Sequence, residues 1–370
     1  MPSVSPFAQL STTYMKKKTS SRKSVKLAII GTGGMAESHA QNFRAIEGCE
    51  IVGVSDIDAK RAAYFAAKYE IPHHFGHTDD LLDKLEIDAV SVVTPDPFHA
   101  PISLRCLKAG KHVLCEKPLA LNYADAKKMT IAAKKAGVIN MVNFSYRNMA
   151  NIQEVAKRVQ RGDLGEIRHV EASYMQTWLT SNLWNDWRKT PALLWRLSQA
   201  HGSKGVLGDI GVHIVDFATY PVGPLASVNC KLKVFPKAPK NRIGEYKFDA
   251  NDSAILSVEF ANGALGIIHT TRWATGHANQ LTLKIFGTKG AIEIDGEVSS
   301  DTYRLCLGEN VQAVKWETVK VEPTPTNYQR FIRAILSGKQ EQPDFARGAE
   351  VQKVLDACFV SDSKGKKIKL

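Results

Sequence analysis

The stretch VKLAIIGTGGMAESHA, residues 25–40, decides the fold class. Residues 25–30 form an almost unbroken apolar run, as expected of a strand covered on both faces. Gly31, Gly33 and Ala36 follow in the spacing Gly-x-Gly-x-x-Ala, and a helical pattern runs on to about Ile46. Gly31 permits the tight turn, and Gly33 lets the backbone approach a pyrophosphate. Ala36 is small enough for helix and strand to pack closely, and the helix N-terminus with Gly34 and Met35 faces the phosphates. Asp56 ends the next strand, twenty positions after Ala36. A carboxylate there accepts from both ribose hydroxyls and repels a 2′-phosphate. NAD is therefore the expected cofactor, with NADP left open by the neighbouring Lys60 and Arg61.

Outward from this unit, strand and helix patterns alternate. Strands are expected over 50–56, 88–95, 111–118 and 140–147, with helices over 59–69, 98–109 and 122–136 between them. Such alternation with short connections implies a parallel, doubly wound sheet, a Rossmann dinucleotide-binding domain over 25–148. Beyond about residue 150 the texture changes. A helix near 149–161 is followed by strands of alternating apolar and polar residues over 167–175, 227–235, 253–260, 264–273, 280–287 and 291–295. These imply an α/β domain, 149–370, with a large, mainly antiparallel open sheet covered on one face. Helices near 326–337 and 346–362 are expected to pack back on the body.

At 370 residues, two domains are the default. The chain is 44% hydrophobic and 23% charged, and no apolar run approaches the ~18 residues of a membrane helix, so no membrane role is expected. The net charge of +12 is concentrated at the ends. Residues 1–24 carry five cations and no acid, the last ten residues add +3, and the body keeps +4. With no basic stripe or aromatic motif, nucleic acid is not an expected partner. The N-terminal segment reads as a disordered basic extension. The six cysteines are scattered without a Cys-x-x-Cys pair, as in a reduced, cytoplasmic protein.

The chemistry-bearing residues lie in two stretches. GVLGDIGVHIVDFATY, 205–220, sets Asp209, His213 and Asp216 into an apolar helix, and the i, i+4 spacing directs Asp209 and His213 to one face. Glu116-Lys117-Pro118 ends a strand at the carboxyl edge of the first sheet, where ligands bind in open α/β sheets. Asp209, His213 and Asp216, joined by His201 or His99, could also ligate a divalent ion.

Four motifs in order, GTGGMAESH, TPDPFH (94–99), EKPLA (116–120) and GDIGVHIVD (208–216), resemble the Gfo/Idh/MocA family of NAD(P)-dependent oxidoreductases. The resemblance runs from about residue 25 to the C-terminus and takes in NGALG (262–266) and GTKGAIEID (287–295). It implies a catalytic group of Lys117, Asp209 and His213, and cofactor contacts that extend to Thr94, Pro95, His99, Glu116 and Lys117. A lysine in this group is unfavourable beside a metal, so no metal is expected. His213 is the natural general base for a hydroxyl proton. Lys117 would hold the same oxygen, and Asp209 would bind a neighbouring hydroxyl or tune the pair.

The family acts mostly on sugars, glycosides and cyclitols, which implies a neutral carbohydrate substrate and a homodimer or homotetramer. Trp178, Trp184, Trp187 and Trp195 crowd the stretch before the catalytic helix and offer faces for sugar stacking. Tyr146, Arg147, Trp187 and Arg196 join Lys117, Asp209 and His213 as expected substrate contacts, with Arg188, Arg272 and His277 as weaker candidates. The expected activity is hydride transfer between NAD(H) and a secondary hydroxyl. Two other readings stand beside it. One is an NAD-dependent glycosidase on the same scaffold, which releases an aglycone without net NADH; the other is a non-catalytic dinucleotide or sugar sensor.

Overall fold

The computed structural model describes residues 24–370, so the expected basic extension falls almost wholly outside it. Six parallel strands form the first sheet: β1 (Val25–Ile30), β2 (Cys49–Ser55), β3 (His73–Phe75), β4 (Ala89–Val92), β5 (His112–Cys115) and β6 (Asn140–Val142). Their order is β3-β2-β1-β4-β5-β6, a doubly wound sheet that changes direction between β1 and β4. Five helices connect them: α1 (Gly34–Arg44), α2 (Ala59–Lys68), α3 (Thr78–Lys84), α4 (His99–Lys108) and α5 (Tyr123–Ala136). Leu27, Ala28, Ile29, Val90, Val92, Val113 and Leu114 are all buried, as helices on both faces require. The short edge strand β3 had no signal in the sequence, because His73-His74-Phe75 is polar and largely exposed.

After α6 (Ala150–Gln160) the chain builds a nine-stranded sheet. β7 (Ile167–Gln176) leads into a connection that holds α7 (Pro191–Leu194) and α8 (Val212–Val222). Next come β8 (Leu225–Lys233), a small hairpin of β9 (Arg242–Ile243) and β10 (Tyr246–Lys247), then β11 (Ser253–Phe260), β12 (Leu265–Thr271), β13 (Asn279–Gly287), β14 (Gly290–Asp295) and β15 (Thr302–Leu307). The short α9 (Glu309–Ala313) and β16 (Glu317–Lys320) follow, and β17 (Ile368–Lys369) closes the far edge. Alternation does the sorting. In β11, Ala254, Leu256, Val258 and Phe260 are buried against the helices while Ile255 is exposed on the other face. The sheet is mixed rather than uniformly antiparallel, since β7 and β12 pair parallel and every other neighbouring pair is antiparallel.

The closing helices stitch the two layers together. α10 (Asn327–Ser337) returns to the first sheet, where Tyr328 and Phe331 pack edge-on against Phe43 of α1 at 5.1 and 6.5 Å. α11 (Phe345–Lys364) lies between α5 and β8 and contributes Phe345, Val351, Leu355 and Cys358 to the shared core.

Candidate active site

The cofactor side is built where β1 and β4 diverge. Gly31 has φ +93°, and a Cβ on it would stand 2.7 Å from the Val93 carbonyl and 2.9 Å from the Thr94 amide, so only glycine fits. Above Gly33 and Gly34, by contrast, no atom lies within 4 Å of a built Cβ. No side chain caps the N-terminus of α1, which leaves its first amides open to an anion. Met35 is 53% exposed beside this opening, and Ala36 is fully buried against the sheet. Asp56 is held by Thr32, whose amide (2.8 Å) and hydroxyl (3.0 Å) both donate to Oδ2. Burial opposes its charge, but the bonds from Arg61, Thr32 and the Asp58 amide win and lower its pKa. An open glycine cradle, free helix amides and an ionised carboxylate together fit a dinucleotide.

The chemical side forms where the carboxyl end of β5 meets the catalytic helix. Lys117 Nζ donates to the Asp209 main-chain carbonyl at 2.9 Å and to its Oδ1 at 3.2 Å. Oδ1 also accepts from Arg196 Nη1 at 3.0 Å, and Oδ2 accepts from Arg272 Nη2 at 2.8 Å. Burial works against an ionised Asp209, yet the charges of Arg196, Lys117 and Arg272 hold its pKa well below the usual carboxylate range. The helix is not regular here. Residues Leu207–Gly211 form a π turn that passes into α8 at Val212, a distortion characteristic of functional sites.

One turn on, His213 is buried, with Tyr146 edge-on at 5.0 Å between ring centroids. Its Nδ1 has no hydrogen-bond partner among the described residues. Burial, then the charge of Lys117, pushes its pKa down to about 3, so the imidazole is neutral. Tyr146 itself bonds to the Tyr174 hydroxyl, and Asn279 joins both, donating to Tyr146 at 2.8 Å and accepting from Tyr174 at 2.6 Å. Asp96 belongs to the same centre. Its pKa is raised by burial, against the charges of His99, Lys117 and Arg196.

Several expected contacts are placed elsewhere. Arg147 is buried, donating to both oxygens of Asp216 at 2.7 Å, with its guanidinium 3.8 Å from the Tyr220 ring centre. Asp216 also accepts from Arg347 Nε at 2.8 Å, so it is a buried ion-pair centre under the helix. Trp187 is 1% exposed, packed on Phe248, and cannot stack on a sugar. Trp178 is buried with it, while Trp184 and Trp195 keep exposed surface. Arg188 is exposed 4.6 Å over Trp187, and His277 faces Glu297 at 3.5 Å.

Two cofactor-side residues serve as frame. His99 bridges the Thr94 and Pro118 carbonyls at 2.8 and 2.6 Å and pins the two loops to each other. Glu116 accepts from His39 at 2.9 Å and Asn143 at 2.6 Å. Burial would raise its pKa, but those bonds and the charges of His39 and Lys117 bring it to about 2. Thr94 is half-buried and Pro95 exposed at the rim. Asp96, Tyr174 and Asn279 went unnoticed in the sequence, although Asp96 lies inside the TPDPFH motif. Tyr174 and Asn279 carry no local signal because they meet only when β7 pairs with β13.

Comparison with known proteins agrees with this geometry. A family model described as Oxidoreductase family, NAD-binding Rossmann fold (Gfo/Idh/MocA) matches residues 25–144, and the model of that family's C-terminal domain matches 152–293. Levoglucosan dehydrogenase of Pseudarthrobacter phenanthrenivorans is 26% identical, over 92% of this chain and 97% of that protein. Myo-inositol 2-dehydrogenase of Thermotoga maritima is 29% identical, over 73% and 75%. A solved levoglucosan dehydrogenase in complex with NADH superposes with a TM-score of 0.85 at 27% identity, covering 94% of this chain and 99% of that one.

Proposed function

This chain belongs to the Gfo/Idh/MocA oxidoreductase family, and on that premise we propose that it transfers hydride between NAD(H) and a secondary hydroxyl of a sugar, glycoside or cyclitol. The observation that carries the proposal is the meeting of Lys117, from the edge of the dinucleotide-binding sheet, with Asp209 of the second domain. His213, uncharged, lies one helical turn beyond.

With a dinucleotide held by the glycine cradle and Asp56, the nicotinamide would supply the hydride acceptor or donor. The protein handles the oxygen and the proton. Lys117 has three N–H donors and spends two on Asp209, which leaves one for the substrate oxygen. That charge-assisted bond strengthens as negative charge grows on the oxygen, and so favours the transition state over the bound alcohol. His213 takes the hydroxyl proton in the oxidative direction and returns it in the reductive one. The two arginines on Asp209 keep it ionised and in one orientation, and Asp209 in turn fixes where Lys117 points. Arg196, over Trp195 and with a side chain 36% exposed, is the charged group that stands at the mouth.

The names of the relatives support a carbohydrate or cyclitol substrate. A homo-oligomeric assembly is supported by Ile255, Leu265 and Ile267, exposed on the face of β11 and β12 turned away from the helices. No helix among the described residues is long and apolar enough to cross a membrane.

The test is NADH formation by purified protein across pyranoses, methyl glycosides and inositols, with NAD and NADP in parallel. Turnover with one substrate group, lost in His213→Ala, is the expected result. Silence across the panel while NAD still binds overturns it, and net aglycone release without NADH would put a glycosidase in its place.

A further inference from the structure

Behind Arg272 lies a second ion pair that the site described above does not use. Lys237, in the loop after β8, and Asp252, just before β11, meet at 2.8 Å with both side chains fully buried. Asp252 is tied to the frame: its Oδ2 accepts from the Phe235 amide at 2.8 Å, and its carbonyl accepts from the Arg272 amide at 3.0 Å. Arg272 is buried too, its guanidinium 4.8 Å from the Trp178 ring centre, with Nη1 donating to the Arg196 carbonyl and Nη2 to Asp209. The row Lys237, Asp252, Arg272, Asp209, Lys117 thus alternates in sign from the buried loop to the reacting centre.

The unpaired atoms in this row show where its tension lies. Arg272 Nε and Asp252 Oδ1 are both buried without a hydrogen-bond partner among the described residues, and the charge of Asp252 acts on Arg272. Lys237 Nζ, although 2.8 Å from Asp252, also makes no well-formed hydrogen bond. Asp252 therefore has a free acceptor, and Arg272, bonded to it through the main chain, has a free donor. We propose that Lys237 and Asp252 are positioning residues: Lys237 neutralises Asp252, so that Arg272 stays committed to Asp209 and Asp209 holds Lys117 in place.

A buried carboxylate without a counter-ion seeks the nearest cation. In Lys237→Met that cation is Arg272. Asp209 then relies on Lys117 and Arg196 alone and draws the lysine closer, away from a substrate oxygen. Removing Asp252 as well abolishes the competition, because Arg272 no longer has a rival partner.

The inference rests on the dehydrogenase reading, so two readouts are needed. The first is kcat and KM on a substrate found with the wild-type protein. Lys237→Met is expected to lower kcat about 10- to 100-fold, with the KM for NAD unchanged because the glycine cradle is untouched. Lys237→Arg should restore most of the loss, and Lys237→Met with Asp252→Asn should be faster than Lys237→Met alone. The second needs no turnover: the rate at which a water-soluble acylating reagent labels Lys117, mapped by peptide mass spectrometry. It should fall in Lys237→Met and recover in the double variant. Should Lys237→Met not fold, Lys237→Gln keeps a donor for Asp252 without the charge and is expected to show the same pattern more weakly. A double variant slower than Lys237→Met, or Lys117 labelling unmoved by loss of the Lys237 charge, overturns the relay. Inactivity of the wild-type protein counts against the dehydrogenase reading, and the labelling result still decides the relay.

Discussion

Arg61 lies along both oxygens of Asp56, with Nη2 2.6 Å from Oδ1 and Nε 3.1 Å from Oδ2. The carboxylate expected to meet the adenosine ribose is therefore engaged by a cation five residues further on, at the start of α2. A ribose must displace or share that guanidinium, whereas a 2′-phosphate would find it waiting.

Arg61→Ala is accordingly expected to favour NAD over NADP. Arg61 has a side chain 48% exposed, so screening limits the pair to ~1 kcal/mol and the shift in the NAD:NADP ratio of kcat/KM to about fivefold. Steady-state kinetics with both cofactors check it. A ratio that moves toward NADP would show that Arg61 does not compete for the ribose site.

Lys117→Met removes the donor to the substrate oxygen and should cost about 10²–10³-fold in kcat/KM. His213→Ala should cost about 10²–10⁴-fold. NAD affinity, measured by fluorescence titration, should survive both changes because neither residue belongs to the glycine cradle. A variant that loses cofactor binding in step with activity would move that residue to the cofactor side.

The depressed pKa of His213 has a visible signature in pH. A histidine near 6.5 would charge, and stop accepting protons, as pH falls from 8 to 5. With the folded value at about 3, His213 stays neutral throughout that range. The kcat/KM profile should show no acid limb from this group above pH 5, and an inflection near 6.5 that disappears in His213→Gln would refute the assignment. Stability carries the same sign. Unfolded chains take up the proton below about pH 6.5 and the native state does not, so stability is full above that point and is lost as pH drops toward 3.

Asp216 anchors the catalytic helix to both domains through Arg147 and Arg347. Asp216→Ala leaves the buried Arg147 without its anion and Arg347 with Glu350 alone, and should destabilise by ~3–5 kcal/mol. Thermal denaturation would show a lower midpoint. Arg147→Met should likewise act on stability and on kcat, with substrate KM little changed. A selective rise in KM would return Arg147 to the substrate site.

Some of this was legible in the residues themselves. The strand–glycine–helix signature around Gly31, the carboxylate at Asp56 and the period-two strands after residue 166 are local patterns, and local patterns survive without a partner. Lys117, Asp209 and His213 stood out because they occupy short motifs with polar residues in apolar settings. Arg147, Trp187 and Asp216 misled for the same reason: polar and aromatic side chains near a site look functional until their burial is known. Arg147 and Asp216 satisfy each other in the core, and Trp187 fills space under Phe248.

Sequence alone determined the doubly wound sheet and the dinucleotide motif, because strand, turn and helix propensities act over a few residues. Which groups meet was decided only by tertiary structure. Asp209 is 92 positions from Lys117 and 63 from Arg272, and nothing local encodes that a lysine and two arginines converge on one carboxylate. Charge states follow last. His213 is brought near 3 mainly by burial, and Glu116 near 2 by His39, Lys117 and Asn143 against burial, and those surroundings exist only in the folded chain.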